Sequence, residues 1–208
     1  MADYRLYCFA ESGNSYKAAL MLHLAGCDWE PVRIDFFEGE TRGEVFRSTV
    51  SEMGEAPVLV HADERLSQSG VILDYLAETT GRFAARDARE RREVWRWILF
   101  DNHKFTSYFA TLRFLAALSK GADPAVLEFL RGRVKSAFGI VDKHLQGRRW
   151  MVGDQPTIAD LSMAGYMFYS DETGIDFKAY PELFAWIGRV AALPGWKSPW
   201  DLMPRAHT

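Results

Sequence analysis

Polar residues that could hold an anionic or nucleophilic ligand follow the first apolar segment of the chain. Residues 4–9 are apolar enough to form a short strand, and a polar cluster, residues 11–15, comes directly after them. Serine and asparagine in such a cluster are typical of a helix N-terminus, where free N–H groups and the helix dipole favour negative charge. Ser12 or Asn14 could therefore stabilise a thiolate that a bound ligand supplies. Alternatively, both residues only cap the helix.

Two other places could bind a peptide-like ligand. Pro57 opens an apolar run, where a cis peptide bond after Ala56 could turn the backbone of Val58 outward to pair with an extended ligand. A trans proline on an edge strand is the alternative. Gln68 and Ser69 begin a helical segment, where an amide, a hydroxyl and backbone N–H groups could gather a carboxylate or could act only as a cap.

A carboxylate and many aromatic side chains mark the second half of the chain. Asp101 interrupts an apolar stripe, four residues after Trp97 and four before Phe105. It could face a cationic ligand group or another subunit, or it could lie where the stripe turns to solvent. Aromatic residues make up 14% of the chain, with seven tryptophans, and they need a core, an interface or an apolar pocket.

The hydrophobic pattern changes near Gly81, from mixed strands and helices before it to helices after it. This change divides the elements that position these residues into two domains. The first 80 residues read as β-α-β, α, β-β-α, with a parallel first pair of strands and a later hairpin. The second strand is predicted from the alternation of Val32, Ile34 and Phe36. From residue 87 onward the pattern is helical. We therefore predict an α/β domain over residues 1–80 and an all-α domain over residues 87–208, in which the carboxyl end of the first strand and the start of the third lie close together.

Composition narrows the class of protein. The chain has 208 residues and a net charge of −3. It therefore lacks the overall positive charge that would indicate a nucleic-acid partner. No apolar run of about 18 residues predicts a membrane span, and the first residues lack the pattern of a secretory signal. Cys8 and Cys27 have neither a CxxC partner nor metal-ligand spacing and are interpreted as small apolar core residues. A cytoplasmic protein without a metal is expected.

Four segments of the chain, in their order along the sequence, resemble the cytosolic glutathione transferase family, and the resemblance extends over essentially the whole chain. The resemblance implies a thioredoxin-like domain, an all-helical domain, glutathione as co-substrate, a small hydrophobic electrophile, a homodimer and a role in detoxification. It is carried by Glu11–Lys17, Met53–Val60, Ser67–Ile72 and Gly153–Asp160.

The resemblance also implies roles for individual residues of the first domain. In serine-type members the hydroxyl at the position of Ser12 hydrogen-bonds the glutathione sulfur, and Asn14 is a second candidate for that role. Pro57 matches the family's cis-proline, Val58 would pair its backbone with the cysteinyl part of glutathione, and Gln68 and Ser69 match the pair that receives the γ-glutamyl group.

One departure from the family pattern concerns charge. Many members have glutamate where this chain has Gln68, so a charge facing the ligand's ammonium is missing. Asp101 matches an acidic position that, in some classes, reaches this ammonium across the dimer interface, and it would compensate.

Other implied features belong to the helical domain. Thr157 and Asp160 match the family's N-capping box, which serves folding. Phe105, Tyr108, Phe109 and Trp200 are candidates for the electrophile pocket, although a core or a dimer interface would use aromatic residues equally well. Alternative functions are glutathione-dependent isomerisation, dehalogenation or disulfide reduction on the same fold, or a non-catalytic binding module.

Overall fold

Two compact units make up the protein. The computed structural model describes residues 2–206, apart from the side chain of residue 170. The first unit joins the chain up to Ala84 to a segment that begins at Pro194, and the second runs from Ala85 to Leu193. The predicted fold class, a thioredoxin-like domain followed by a helical domain, is confirmed. The predicted outer ends of the two domains, residues 1 and 208, lie outside the described residues.

A four-stranded sheet forms the centre of the first unit. Its strand order is β2-β1-β3-β4, with β1 parallel to β2 and β3 antiparallel to both of its neighbours. The parallel pair and the hairpin agree with the sequence pattern. The strands are β1 Tyr4–Cys8, β2 Trp29–Arg33, β3 Val58–His61 and β4 Glu64–Ser67.

Helices begin and end where cap residues predict. The first helix follows the N-cap Ser12 and ends at Gly26, whose φ of 74° lies in the left-handed region that glycine adopts most easily. The helices of this unit are α1 Gly13–Ala25, α2 Glu44–Thr49 and α3 Ser69–Thr80. Those of the second unit are α4 Ala88–Phe100, α5 Thr106–Arg113, α6 Pro124–Leu145, α7 Ile158–Ala164 and α8 Pro181–Ala191; α9, Pro199–Leu202, returns to the first unit.

The second strand lies earlier in the chain than the alternation predicts. It ends at Arg33, after which Ile34 is fully buried and the ring of Phe36 stacks on that of Phe9 at 4.8 Å. The strand also contains Pro31, which has no N–H to donate and is tolerated because β2 is an edge strand. The residues that alternate thus belong mostly to a hydrophobic cluster beside the sheet.

The helical unit buries aromatic side chains between α5 and α6. Phe109 lies 6.0 Å from Phe138 between ring centroids, and Phe177 lies 5.1 Å from Phe138. Two π-helical stretches, Asp101–Phe105 and Phe114–Leu118, continue the helix on either side of α5. Much of the aromatic content therefore forms an ordinary core.

A buried carboxylate fixes the start of α7. One oxygen of Asp160 accepts from the backbone N–H of Thr157 at 2.9 Å, and the other accepts from Met151 N and Trp186 Nε1, each at 2.9 Å. The Thr157 hydroxyl in turn accepts from Ala159 N, which completes the capping box. Asp160 thereby joins α7 to α8 and to the preceding loop.

The same carboxylate predicts a pH dependence of stability. Burial raises the pKa of Asp160 from 3.8 to about 6. The folded state therefore holds this proton more tightly than the unfolded state, and the free energy of unfolding falls by about 3 kcal/mol as the pH rises from about 4 to above 6. Urea unfolding across this pH range measures the free energy of unfolding of the wild type and of Asp160→Asn. The difference between the two values should become smaller as the pH rises. A gap that stays constant would contradict the assignment.

The segment 194–206, called here the C-terminal strap, is bonded to the first unit. Tyr16 Oη donates to Lys197 O at 2.6 Å, and Ala10 N donates to Pro204 O at 2.7 Å. Ala206 N donates to the carboxylate of Glu11 at 3.0 Å. These bonds hold the loop that leads into α1. Across residues 2–206, the structure has no helix with the length and apolar character that crossing a membrane requires.

Candidate functional site

The strand register brings three loops to one edge of the sheet. Tyr7 of β1 is level with Val58 of β3, which is level with Ser67 of β4. The loop after β1, the loop before β3 and the start of α3 therefore leave the sheet together. Ser12, Pro57 and the Gln68-Ser69 pair lie on these three segments, so the predicted convergence is present in the backbone.

Ser12 is the N-cap of α1 and is 7% exposed. Its hydroxyl oxygen accepts from Ser15 N at 3.1 Å, as the capping interpretation predicts. Because the oxygen acts as acceptor in this bond, the hydroxyl proton stays available for donation to a ligand. Capping and ligand binding are therefore compatible in this residue.

Unpaired groups surround the Ser12 hydroxyl. Among residues 2–206, no acceptor bonds the backbone N–H of Gly13 or Asn14, as is usual in the first turn of a helix. The side-chain oxygen of Asn14 is buried and has no partner within the same range. A buried amide of this kind needs an external partner, and rotation by 180° about its terminal torsion would present N–H in place of oxygen.

Ala56, rather than Val58, offers free backbone before the third strand. Val58 is fully buried and is paired with Tyr7 on one side and Ser67 on the other, so the prediction that its backbone pairs with a ligand is wrong. The Ala56–Pro57 bond is cis, and Ala56 is half-buried. In the described part of the chain, neither its amide nor its carbonyl has a hydrogen-bond partner. The cis bond does not turn the Val58 backbone outward as predicted, because Val58 is already part of the sheet on both sides.

The start of α3 combines free amides with an unusual backbone conformation. Gln68 has φ 67° and ψ 114°, a region that side chains rarely occupy, and Ser69 is 6% exposed at the first helical position. Non-glycine residues in such conformations cluster at ligand sites. The N–H groups of residues 69–71 have no acceptor within 2–206. This helix start is suited to a carboxylate.

Glu55 also reaches this edge of the sheet, although no sequence pattern singles it out. Its carboxylate accepts from Gln68 Nε2 at 2.9 Å. The negative charge absent from position 68 is therefore supplied by a neighbouring loop. The only sequence signal was its place two residues before Pro57, within a motif already singled out.

Asp101 does not face a ligand. It is fully buried in the helical unit, where its oxygens accept from the hydroxyls of Thr106 at 2.5 Å and Ser162 at 2.7 Å. The prediction that it reaches an ammonium group across a dimer interface is wrong, because a carboxylate enclosed by its own unit cannot extend to another subunit. Its role is to join the π-helical stretch after α4 to α7.

Asp101→Asn tests this correction. We expect a loss of folding free energy of about 1–2 kcal/mol, because one oxygen acceptor becomes a donor. We expect no change in the KM for glutathione. Urea unfolding and steady-state kinetics on the same preparation check the two expectations. A raised KM with unchanged stability would restore the ligand-facing role.

Two of the proposed pocket residues are core residues. Phe105 and Phe109 are fully buried against Phe138, so an electrophile cannot reach them without displacing the core. Tyr108 is half-buried, with the guanidinium of Arg133 6.0 Å from its ring centroid. Trp200 is 36% exposed, and the Arg205 guanidinium lies 4.4 Å from its ring centroid. Of the four candidates, only Tyr108 and Trp200 keep exposed ring surface.

Neither described cysteine lies on these loops. Cys8 is fully buried in β1, and burial raises its pKa to about 12, so its thiol stays protonated at neutral pH. Cys27 follows α1 at its opposite end. No group of three or more His, Cys, Asp or Glu side chains in residues 2–206 is placed to hold a metal ion.

Comparison with known proteins agrees with this architecture. Residues 2–78 match the glutathione S-transferase N-terminal domain, and residues 105–194 match its C-terminal domain. A crystal structure of a glutathione S-transferase from Xanthobacter autotrophicus is 34% identical, covers 97% of both chains and gives a TM-score of 0.87. The disulfide-bond oxidoreductase YfcG of Escherichia coli is 27% identical over 89% of each chain. The maleylacetoacetate isomerase of Rhizobium meliloti is 29% identical over 97% of this chain and 94% of the relative. The chain belongs to the glutathione S-transferase family.

Proposed function

We propose that the protein binds glutathione at the shared edge of the sheet and activates its thiol for attack on a small apolar electrophile. The observation that carries this proposal is the convergence of groups without partners. They are the first amides of α1 and α3, the Asn14 side chain and the Ala56 backbone. Unpaired amides are usual at helix starts, but a buried side-chain oxygen and a strand-edge backbone without partners beside them favour an edge that binds a ligand.

The span of the site supports a tripeptide. Neighbouring strands lie about 4.8 Å apart, so β1 and β4, which flank β3, are about 10 Å apart. Three extended residues cover about the same distance. In this placement the thiol lies at the start of α1, the cysteinyl backbone lies beside Ala56, and the γ-glutamyl carboxylate lies at the start of α3.

Thiol activation follows from the polarity of the α1 start. The Ser12 O–H donates to the sulfur while its oxygen keeps the bond to Ser15 N. The free amides of Gly13 and Asn14 add the positive end of the helix dipole. Together they lower the thiol pKa, and the thiol proton passes to solvent. The sulfur lone pair then forms the new S–C bond, and the leaving group departs with the electron pair of the bond it breaks.

The γ-glutamyl ammonium would be held by Glu55 and Gln68. Glu55 supplies the charge, and Gln68 accepts through its Oε1 while its Nε2 donates to Glu55. This pair replaces the compensation first expected of Asp101.

Glu55→Gln is expected to raise the KM for glutathione about fivefold, because an exposed ion pair is lost, while kcat stays close to the wild-type value. Steady-state kinetics at low ionic strength measure both constants. Glu44→Gln, which removes an exposed carboxylate from α2, is the matched control and should leave KM unchanged. An equal rise of KM in both variants would mean that the overall charge of the protein, and not Glu55 itself, determines glutathione binding.

A direct experiment tests the proposed function itself. Glutathione is titrated into the protein, the thiolate absorbance of the bound ligand is followed against pH, and turnover is measured with a chlorodinitrobenzene electrophile. We expect the pKa of the bound thiol to lie below that of free glutathione. Failure to bind millimolar glutathione would reject the proposal and favour a non-catalytic module.

Disulfide reduction by glutathione is a second candidate. It is favoured by the similarity to the E. coli disulfide-bond oxidoreductase. Two glutathione molecules would be oxidised to one disulfide while the substrate disulfide is reduced to two thiols, and no protein thiol is needed. Turnover is measured with three substrates: the electrophile, a model disulfide and the isomerase substrate maleylacetoacetate. The substrate that is converted identifies the reaction.

The cellular setting is part of the same proposal. We infer a cytoplasmic homodimer that acts in detoxification. Exposed apolar side chains of the first unit, Met53 at 50% and Val71 at 44%, are available for a subunit interface. Analytical ultracentrifugation at micromolar concentration tests the dimer.

A further inference from the structure

A second concave site, called here the arginine cleft, lies in the first unit. Its volume is about 250 Å³, and it is lined by residues of α2, of the loop after α2, and of β3 and β4. The residues that matter for its chemistry are Arg47, Arg65, Ser48, Ser51, Ser67 and Glu52. None of these is used in the proposed glutathione site.

The cleft carries an excess of positive charge. Arg65 donates to the backbone carbonyl of Thr49. Within residues 2–206, neither Arg65 nor Arg47 has a carboxylate partner. Glu52 is the one acidic residue of the lining, so the side chains give a charge of +1 in a chain whose net charge is −3. Guanidinium groups without a carboxylate partner are suited to an oxyanion.

A buried hydroxyl points to a ligand independently of charge. Ser51 is 7% exposed, and its Oγ has no hydrogen-bond partner in the described part of the chain. An unsatisfied buried hydroxyl costs about 1–3 kcal/mol, unless a ligand bonds it. Among the described residues, the hydroxyl of Ser67 has only the sulfur of Met53 as a partner, at 3.9 Å. Both hydroxyls can rotate to donate a hydrogen bond to a ligand in the cleft.

Arg47 lies against the loop around Gly54. Gly54 has φ 66°, and a Cβ there would lie 2.7 Å from Thr41 O and 3.0 Å from Arg47 Nε. Any larger residue would therefore push the guanidinium away. The glycine therefore leaves room for the Arg47 guanidinium beside this loop.

We propose that the arginine cleft binds the phosphate or carboxylate group of a small metabolite. The two guanidinium groups meet the anion, and the hydroxyls of Ser51 and Ser67 donate to its remaining oxygens. The volume is below the usual range for drug-sized ligands, so the ligand is small. This site goes beyond the proposed function and does not depend on it.

The test is a titration of the full chain, followed by the amide signals of residues 47–52 and 65–67 in ¹⁵N NMR spectra. Inorganic phosphate is the probe in one arm and succinate in the other, both at low ionic strength. We expect saturable shifts in the millimolar range in at least one arm, and the stronger arm identifies the head group. An absence of saturable shifts in both arms would overturn the proposal.

Two variants separate binding from structure. Arg47→Gln should weaken binding about tenfold, because a charge-assisted hydrogen bond is lost. Arg92→Gln removes an exposed arginine from the helical unit and should leave binding unchanged. Ser51→Ala should weaken binding without lowering the melting temperature, because its hydroxyl has no partner to lose. Equal affinity of Arg47→Gln and the wild type, or a lower melting temperature with unchanged affinity in Ser51→Ala, would contradict the assignment.

Discussion

Asp160→Ala is expected to destabilise the protein by about 4 kcal/mol. The substitution leaves three buried donors without an acceptor: the backbone N–H groups of Met151 and Thr157 and the indole N–H of Trp186. Each unsatisfied donor costs about 1–3 kcal/mol, and relief of the buried charge offsets only part of the sum. Urea unfolding, followed by tryptophan fluorescence and circular dichroism, measures the loss.

Asp154→Ala is the matched control. Asp154 lies in the loop that precedes α7, but its side chain is 81% exposed and pairs with Arg86 at the surface at 3.2 Å. Such a pair contributes about 0–1 kcal/mol. Similar losses in the two variants would mean that the capping box is not the main support of the helical unit.

Ser12→Ala is expected to lower kcat for conjugation about 100-fold and to raise the pKa of bound glutathione. The variant removes the hydroxyl donor to the thiolate, an interaction that is absent from the protonated ligand. Glutathione affinity should change little, because the γ-glutamyl contacts remain. Loss of the helix cap should also lower stability by about 1 kcal/mol. Turnover, ligand thiolate absorbance and urea unfolding report the three effects separately.

Two further variants distinguish the roles of the hydroxyl. Ser12→Thr keeps both the cap and the donor and should retain most activity. Ser15→Ala removes a buried hydroxyl that has no partner in the described residues, one helical turn away. It should leave the thiol pKa unchanged. If Ser12→Ala turns over normally, Asn14 becomes the residue to substitute.

The sequence predicts those parts of the fold that rest on local chemistry. Ser12, Gly26, Gly81 and the Thr157–Asp160 box mark helix ends because each acts on backbone groups within a few residues. The parallel first pair of strands and the later hairpin follow from the same residues at the ends of the elements, together with the short hairpin loop.

Long-range partners could not be predicted in the same way. Asp101 is satisfied by Ser162, 61 residues away, and no periodic pattern encodes that pairing. The C-terminal strap bonds mainly through backbone groups, which carry no side-chain signal, so residues from 194 onward were grouped with the helical domain. Glu55 and Ala56 were missed because their roles depend on which strand groups are already paired.

The C-terminal strap reverses the order in which the two units can be completed during synthesis. Domains usually fold as they leave the ribosome, the N-terminal one first. Here the carbonyls of Lys197 and Pro204, which bond Tyr16 and Ala10, are translated only after the whole helical unit. The unit that begins the chain therefore finishes last, and the loop that carries Ser12 gains its final bonds only when synthesis has passed residue 206.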